Sequence, residues 1–561
     1  MARSPSPPSR ALRLRRAAAT LVLAAAGCTA APGNEPPRST SYEDLVALFD
    51  EWRAFQRPAT VAGVPDYGVE AMAAQHRALS GYRKRLDAID PSGWPVAQQV
   101  DHRIVTAEMD GLDFDHRVLR PWARDPAFYT MIFTSRSDVP AHEGPVVHGW
   151  IDLWAYPDPL TPEAAAGLAA RIASIPPLLE QARQTLVGDG RDLWVRGAHA
   201  MAAQSADLAA FGAGVAGTSA ELEAAVEGAR AATDAFRAWL DSLAPSKQGP
   251  SGVGRENYTW SQQNVHLLPY TWEEELGLAR RELWRAHAAL RLEEHRNRDL
   301  PELERVATPE EFDRVFNGAV TEFLAFLDRQ GIVRVEDYMD AALRERIGTF
   351  APASRPDGLR EFFSEVGYRD PVTMRTHGYH WIELARMDAQ PHPSPIRREP
   401  LLYNIWDARS EGLATGMEEM TMHAGLFDGR PRSRELIWIL LAQRAARAIG
   451  GLMMHANEWT MEEAVRFAST WTPRGWLPED GATVWGEQHL YLRQPGYGSS
   501  YLVGKVEIEK LMAERATALG PAFTLGGFME ELTAAGVIPV SLVRWELTGD
   551  GGEVRGMAAS R

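Results

Sequence analysis

The sequence predicts a large, mainly α-helical protein, and three observations support this. Apolar residues recur at helical spacing from the first folded segment onward, as in Leu45, Leu48, Phe49 and Trp52. Threonine and glutamate occur together at the starts of several segments, in the pattern that begins helices. Alternating apolar runs typical of strands are scarce and short. With 561 residues, the chain is expected to form two or more packed helical layers or lobes.

Four helix starts can be located from local chemistry. In Thr271–Glu274, Thr308–Glu311 and Thr460–Glu463, the hydroxyl can accept a hydrogen bond from a free backbone N–H, and the glutamate can return to the N–H of the threonine. Thr161 precedes Pro162, which fits the first helical position because the missing N–H would be unpaired there. Segments rich in alanine and leucine continue the helical pattern at 163–186, 197–243 and 272–296.

Residues 1–27 are typical of a secretory signal peptide. They contain five arginines and no acidic residue, and an apolar run from Ala17 to Ala26 follows the basic part. This run is too short for a stable membrane span. Cys28 is the only cysteine and directly follows small residues, so we predict that it is the lipidated first residue of the mature chain. Cleavage of an ordinary signal peptide near Ala30 is the alternative.

Charge and composition predict the location of the mature protein. Residues 28–40 include Pro32, Pro36 and Pro37 and are expected to form a tether between the lipid and the folded body. The chain has a formal net charge of −16, which disfavours nucleic acid as a partner. We therefore expect an exported, membrane-anchored lipoprotein of the cell envelope, on the periplasmic or outer face.

Two helical regions are predicted after the tether, an N-terminal region over 41–250 and a C-terminal region over 251–561. The segment from Ala244 to Arg255 is rich in proline and glycine and interrupts a strongly helical stretch. It could equally be a long loop inside one domain. The candidate functional residues all lie in the second region.

His377 and His380 are the first candidate metal ligands. Three residues apart, they would share a face of a helix, and Glu383 would extend the same face. Two imidazoles and a carboxylate directed into one cavity can bind a metal ion. A structural role, such as stacking against Trp381, is the alternative. The HExxH motif of zinc peptidases does not occur in the chain.

Glu411 and Glu418 are seven residues apart in a segment suited to a buried helix, so both carboxylates should face the same neighbour. Buried carboxylates need partners. The glutamates could contribute to a functional site, or they could form ion pairs with Arg444 or Arg447 of the next helix.

Tyr501 follows a Pro-Gly turn at the start of another predicted helix. Its phenol could donate a hydrogen bond to a developing oxyanion, or it could only anchor the turn. A serine hydrolase using Ser499 or Ser500 near His455 is a weaker hypothesis, because neither serine lies in a Gly-x-Ser-x-Gly elbow.

Several motifs together resemble the bacterial family called domain of unknown function 885. Glu411-Gly412 resembles its EGWALY-type helix, and His455-Ala456 before Trp459-Thr460 resembles its IHAxGWT segment. Pro495-Gly496 with Tyr501 and Gly504 resembles its PGQALxYKIG element. The order and spacing agree from about residue 45 to 550, and Arg124-Asp125-Pro126 with Tyr129 also fits the pattern.

This resemblance implies a large multi-helix fold similar to thimet-oligopeptidase-like and carboxypeptidase-Taq-like zinc peptidases. The family's proposed metal site combines an HExxPGHH segment with the glutamate of EGW. Carried over to this sequence, it implies Glu411 as the third metal ligand. It also implies His455 and Arg447 as pocket residues and Tyr501 as a donor to the transition state.

The first family motif is degenerate here. With Gly378 aligned to the glycine of PG, the HE pair falls on Thr373-Met374, and only His380 remains of the two following histidines. With His377 aligned to the leading histidine, the glutamate and the Pro-Gly pair are missing. The adjacent glutamate base is absent in both alignments, so Glu383 is the nearest candidate substitute and Glu418 the second.

Two functions remain open from the sequence. The first is a lipid-anchored metallohydrolase acting on peptides that reach the envelope, with His377, His380 and Glu411 as ligands of a zinc ion and a relocated base. The second is a catalytically inactive lipoprotein that uses the cleft as a binding module for a peptide, a cell-wall fragment or another protein.

Overall fold

The computed structural model describes residues 38–353 and 355–559 of the chain. Helix makes up 67% of the structure and strand 2%, which confirms the mainly α prediction. The signal peptide, Cys28 and most of the tether lie outside the described residues.

The α-helices of the described residues are numbered in chain order. They are α1 (Tyr42–Phe55), α2 (Val69–Asp87), α3 (Val96–Phe114), α4 (Pro121–Arg124), α5 (Pro162–Ile172), α6 (Ile175–Thr185), α7 (Arg191–Gly214), α8 (Ala220–Leu243), α9 (Arg255–Asn264), α10 (Trp272–Arg296), α11 (Pro309–Arg329), α12 (Asp337–Arg344), α13 (Phe362–Gly367), α14 (Pro371–His377), α15 (Tyr379–Ala389), α16 (Asp407–His423), α17 (Ser433–His455), α18 (Met461–Trp471), α19 (Ala482–Arg493), α20 (Tyr497–Leu519), α21 (Leu525–Ala534), α22 (Val540–Thr548) and α23 (Gly552–Ala559).

Extended structure in the described residues is limited to two short pairs. β1 (Thr60–Val61) is antiparallel to β2 (Val64–Pro65), and β3 (Ile132–Phe133) is parallel to β4 (Ile151–Asp152), with Ile132 opposite Ile151. A π-helical turn, Asp115–Leu119, continues α3. Short 3₁₀ turns occur at Pro126–Tyr129, Leu153–Ala155, Ala244–Ser246, Leu402–Asn404, Pro473–Gly475 and Gly520–Ala522.

The predicted helix starts are confirmed. At Thr271 and Thr460 both hydrogen bonds of the capping box form, and α10 and α18 begin at the next residue. The Thr308 hydroxyl accepts from Glu311 N–H, but the Glu311 carboxylate accepts from the N–H of Ala307 instead of that of Thr308. Thr161 caps α5 in the same way, with Pro162 at the first helical position.

Two hydrophobic cores hold the helices together. The larger contains residues of α1, α3, α10, α11 and α16–α20, from both sides of position 250. The smaller lies among α5–α8 and the Pro126–Tyr129 turn. Residues from Arg38 onward form one compact unit. The proline- and glycine-rich segment near residue 250 therefore connects parts of this unit and is not a gap between two domains.

Helix α17 lies at the centre of the larger core. By length and composition it could cross a membrane, with a mean hydropathy of 1.3, but its apolar window is completely buried within the described protein. It also contains Arg444 and Arg447, both nearly inaccessible to solvent. In this structure α17 is a core helix.

Close packing of α16 against α20 positions the candidate functional residues. A Cβ on Gly504 would overlap the backbone carbonyl of Ala408, and a Cβ on Gly412 would overlap the backbone of Gly504. Only glycine therefore permits this separation of the two helices. The close approach brings Glu411 of α16 next to the first turns of α20.

Candidate metal centre

The three predicted metal ligands lie together. His377 ends α14, His380 lies in the first turn of α15, and Glu411 lies in the first half of α16. One ligand atom from each forms a group in which all atoms lie within 4.8 Å of one another. The two histidines do not share one helix, as the sequence had suggested, because the chain changes direction at Gly378 between two short helices. Their rings are 4.8 Å apart and nearly perpendicular.

His380 and Glu411 form the innermost part of this group. His380 Nε2 lies 3.1 Å from Glu411 Oε2, and the two side chains are 1% and 2% exposed. Neither atom has a hydrogen bond of normal geometry in the described part of the chain. Two ligands of one tetrahedral zinc ion are about 3.4 Å apart, so the observed spacing fits two atoms that share a metal ion.

The pKa values of His380 and Glu411 are shifted in opposite directions. Burial opposes charge on both groups, but the charge of Glu411 raises the pKa of His380 to about 9. Reciprocally, the His380 charge holds the pKa of Glu411 at about 2, although burial alone would raise it. Glu411 is therefore an anion, the form that binds a divalent cation, whereas His380 carries a proton that it must lose before Nε2 can coordinate a metal ion.

The other nitrogen of His377 has partners that orient the ring. His377 Nδ1 lies 3.2 Å from Glu418 Oε1 and 3.1 Å from Arg444 Nη2. Burial, followed by the charge of Arg444, lowers the pKa of His377 well below its ordinary value, so the imidazole is neutral. Because a guanidinium can only donate, Nδ1 accepts from Arg444, and Arg444 and Glu418 together fix the orientation of the ring. Two imidazoles and one carboxylate are a ligand set suited to zinc, with a position left open.

Neither predicted substitute base is free. Both carboxylate oxygens of Glu383 accept from Arg409, at 2.9 and 3.0 Å, so the predicted catalytic role of Glu383 is not supported by its geometry. Glu418 is held in the same way by Arg444, at 2.7 and 2.8 Å. Both glutamates are held for the same reason, which is that a buried guanidinium needs a counter-charge.

The connection between β3 and β4, residues 134–150, brings two further acids to the centre. The hydroxyl of Tyr497 lies 2.6 Å from Glu411 Oε1 and 2.5 Å from Glu143 Oε1. A phenol has one proton, so one of the two carboxyl groups must carry another. Burial, followed by the charge of Asp138, raises the pKa of Glu143 to about 7, so Glu143 is the carboxyl group that gains or loses this proton near neutral pH.

Sequence reasoning missed Asp138, Glu143 and Tyr497. Tyr497 had a usable signal, because it lies four residues before Tyr501 and so faces the same side of α20. Glu143 is separated from Tyr497 by more than 350 residues of sequence, and although it follows His142, Val146 stands where HExxH would place the second histidine. Its position follows only from the folded connection between β3 and β4.

Tyr501 and Arg447 lie beside the centre. The Tyr501 ring is stacked on His377 with 6.3 Å between centroids, and burial raises its pKa well above the ordinary value. Its hydroxyl makes no hydrogen bond within the described residues, so the phenol keeps a proton that it can donate. Arg447 lies 5.2 Å from the Tyr501 ring and forms an ion pair with Glu487.

His455 lies outside the group, although it was predicted to be a catalytic-pocket residue. Its Nε2 lies 2.9 Å from the carbonyl oxygen of Tyr491, its ring packs against Tyr258, and burial lowers its pKa to about 4. The serine hydrolase hypothesis has no geometric support in the described residues. Ser499 donates to Glu275 and Ser500 to the carbonyl of Tyr497, so neither pairs with His455.

Comparisons with known proteins agree with the fold. The family described as "Bacterial protein of unknown function (DUF885)" matches residues 58–356 and 380–547. Residues 357–379, which include His377, lie between the two matched ranges. No curated protein matches the chain.

Two solved structures share the fold. One is a candidate lipoprotein of unknown function from Shewanella oneidensis, with 15% identity and a TM-score of 0.63, covering 90% of this chain and 97% of the other. The second is a candidate lipoprotein from Colwellia psychrerythraea, also with 15% identity and a TM-score of 0.63, covering 93% of this chain and all of the other. The family match spans most of the described chain, and the protein therefore belongs to the bacterial family of unknown function DUF885.

Proposed function

We propose that this protein is a metal-dependent hydrolase that acts on peptides, with His377, His380 and Glu411 holding one divalent ion, most simply zinc. The main observation in support of this proposal is that ligand atoms from three helices lie within 4.8 Å of one another. A likeness to thimet-oligopeptidase-like and carboxypeptidase-Taq-like zinc peptidases is part of the same proposal. When bound, the ion would supply a Lewis acid that polarises a scissile carbonyl.

Glu143 replaces the missing glutamate base in this proposal. Its carboxyl group lies in a buried network with Tyr497 and Glu411, and its pKa of about 7 suits proton transfer in both directions at neutral pH. Glu143 takes the proton of the attacking water and returns it to the leaving amine. Tyr501, protonated and without a hydrogen-bond partner in the described residues, donates to the developing oxyanion.

The envelope location is proposed from two independent observations. The first 28 residues have the composition of a signal peptide ending at a single cysteine. The two solved structures described above, which share the fold, are named as candidate lipoproteins. A lipid on Cys28 would hold the enzyme at a membrane surface, where peptides that reach the envelope are its substrates.

Metal content tests the proposal before any substrate is known. We expect about one zinc ion per chain in protein purified without chelators. The variant His380→Gln should lose the ion. His455→Gln is the matched control, because it alters a histidine that is equally buried but lies outside the group. Wild-type protein that takes up no zinc or other transition metal after reconstitution would contradict the proposal.

A binding module remains the second candidate, and one observation favours it. The family's HE pair is absent, and the two nearest substitute glutamates are both held by arginines. A binding module would capture peptides without cleaving them, even when fully loaded with zinc. It would also retain that capture in His380→Gln. The hydrolase would instead lose cleavage in this variant while the fold persisted.

A further inference from the structure

A cavity of about 550 Å³ lies next to the metal centre but does not include it. Ser137, Val139 and Gly144 of the 134–150 connection line the cavity, whereas Glu143 of the same connection reaches the metal centre. This connection therefore separates the two spaces. The volume is within the range of small-molecule binding sites, about 300–1,000 Å³.

Asp115 lines this cavity and has no hydrogen-bond or ion-pair partner for its carboxylate within the described residues. Burial raises its pKa to about 8. The residue begins the π-helical turn Asp115–Leu119, a rare conformation that is frequent at functional sites. A carboxylate at the wall of a cavity, without a partner from the protein, is suited to a ligand that supplies the missing charge.

The arginines that line the cavity do not neutralise Asp115. Arg53 forms an ion pair with Glu108 at 2.6 Å, and Arg493 forms one with Asp125 at 2.6 Å. The other two lining arginines are Arg57, which is exposed, and Arg136, which pairs with Asp388. Asp115 is therefore the desolvated acid of the cavity wall that lacks an ion-pair partner in the described part of the chain, whereas Arg57 and Glu399 line the cavity from exposed positions.

Aromatic rings surround this carboxylate. Burial raises the pKa of Tyr67 and of Tyr403, and the charge of Asp115 contributes to both shifts, which places the three side chains together. Tyr67 packs edge-on against Phe128, with centroids 5.0 Å apart, and parallel to Trp122 at 6.4 Å. All of these residues line the cavity. Aromatic faces attract cations, so the rings and the carboxylate favour the same kind of ligand.

Backbone strain is concentrated at the same wall. Tyr403 and Asn404 both have left-handed conformations, with φ of 55° and 52°, although neither is glycine. Each such residue costs about 1–3 kcal/mol and persists only where the surrounding structure enforces it, often at ligand sites. The Tyr403 ring packs on the bare backbone of Gly111, where a Cβ would overlap it. The surrounding structure therefore holds this part of the cavity wall in a backbone conformation that is unfavourable in free energy.

We propose that this cavity binds an organic cation, a primary ammonium or guanidinium group on an apolar body, with Asp115 as its counter-ion. The aromatic residues contact the apolar body and the charged head, and the carboxylate selects against neutral and anionic analogues. This site goes beyond the proposed hydrolase, because none of the three metal ligands lines the cavity.

Calorimetric titration of the full-length protein with three matched probes tests the proposal. The probes are 2-phenylethylammonium, its neutral analogue 2-phenylethanol, and the anion 3-phenylpropionate. We expect the cation to bind at least about tenfold more tightly than the neutral probe, and the anion to bind most weakly. Asp115→Asn should weaken binding of the cation about tenfold or more. Asp113→Asn is the matched control, because Asp113 lies on the preceding turn, pairs with Arg117 and does not line the cavity.

Three results would overturn the proposal. They are equal affinity for the neutral and cationic probes, unchanged cation binding by folded Asp115→Asn, and no binding of the cation by wild-type protein at millimolar concentration. The comparison of probes uses wild-type protein and stays decisive if Asp115→Asn does not fold. Repeating the titration with His380→Gln separates the two proposals, because cation binding should persist when the metal is lost.

Discussion

Glu143 and Glu411 lie on opposite sides of the Tyr497 hydroxyl, at 2.5 and 2.6 Å. Their pKa values are displaced in opposite directions, to about 7 and about 2, because Glu143 is buried near Asp138 whereas Glu411 faces His380. Carboxyl groups with separated pKa values mark an acid–base assignment. Glu411 is the anion of the pair, and in the proposed hydrolase Glu143 is the group that exchanges protons.

Glu143→Gln should abolish hydrolysis while zinc remains bound. Loss of a general base typically lowers turnover by about 10²–10⁴-fold, whereas the three metal ligands are unchanged by this substitution. Cleavage of a mixed peptide library by the zinc-loaded protein, followed by mass spectrometry, gives the rate, and elemental analysis gives the zinc content. Glu399→Gln, which alters an exposed acid, should keep wild-type activity. Wild-type turnover in Glu143→Gln would exclude this residue as the base.

Glu418→Gln should weaken zinc binding by about 10–100-fold, because it removes the carboxylate that orients His377. The substitution also leaves Arg444 buried without a full counter-charge, which will lower stability. Glu383→Gln controls for this effect, since it breaks an equivalent buried pair with Arg409 but contacts no metal ligand. Competition with a zinc chelator measures both affinities. Equal losses in the two variants would show that the effect comes from stability alone.

Gly504→Ala should destabilise the fold by about 1–3 kcal/mol and reduce zinc binding as well. The added methyl group would overlap the carbonyl of Ala408, so α16 and α20 must separate and Glu411 must move away from Tyr497. Gly416→Ala is the matched control on α16, because the space around its Cβ is open. That variant should gain about 0.5–1 kcal/mol from the lower entropy of the unfolded chain. Urea unfolding would measure both changes, and equal stability of the two variants would contradict the packing argument.

Asp115→Asn should change how stability depends on pH. The folded pKa of Asp115, about 8, is far above the ordinary 3.8, so between these values the native state binds more protons than the unfolded state. Stability therefore falls as pH rises through this window, and removing the carboxylate removes that fall. We expect the free energy of unfolding of the variant, relative to wild type, to increase from about pH 5 to about pH 8.

The control residue is Asp113, whose pKa is shifted in the opposite direction from that of Asp115. The pKa of Asp113 is lowered, although burial opposes the shift, because Asp113 pairs with Arg117 and His76. Asp113→Asn should therefore lower stability by an amount that stays constant across the same pH window. If the free energy of unfolding of Asp115→Asn differed from that of wild type by the same amount at every pH in this window, the carboxylate of Asp115 would have a partner in solution.

Local features of the fold could be predicted from the sequence, and long-range electrostatics could not. The capping boxes at Thr271 and Thr460 depend on residues three apart, and both form as expected. The contact between His380 and Glu411 was expected because the sequence resembles the family's motifs in the same order. That expectation came from the resemblance and needed no knowledge of how the helices pack. The pairing of Glu383 with Arg409 was not expected, because the partner of a buried charge is set by packing between helices, which no spacing rule describes.

The core helix α17 also has a consequence for export. For a chain that crosses a membrane unfolded, an apolar stretch of this length risks being released sideways into the lipid by the translocation channel. Arg444 and Arg447 lie near its midpoint, where each arginine raises the free energy of insertion by about 2.5–3.5 kcal/mol. If the chain is exported as proposed, the arginines that border the candidate metal centre would also favour complete passage of this segment to the far side.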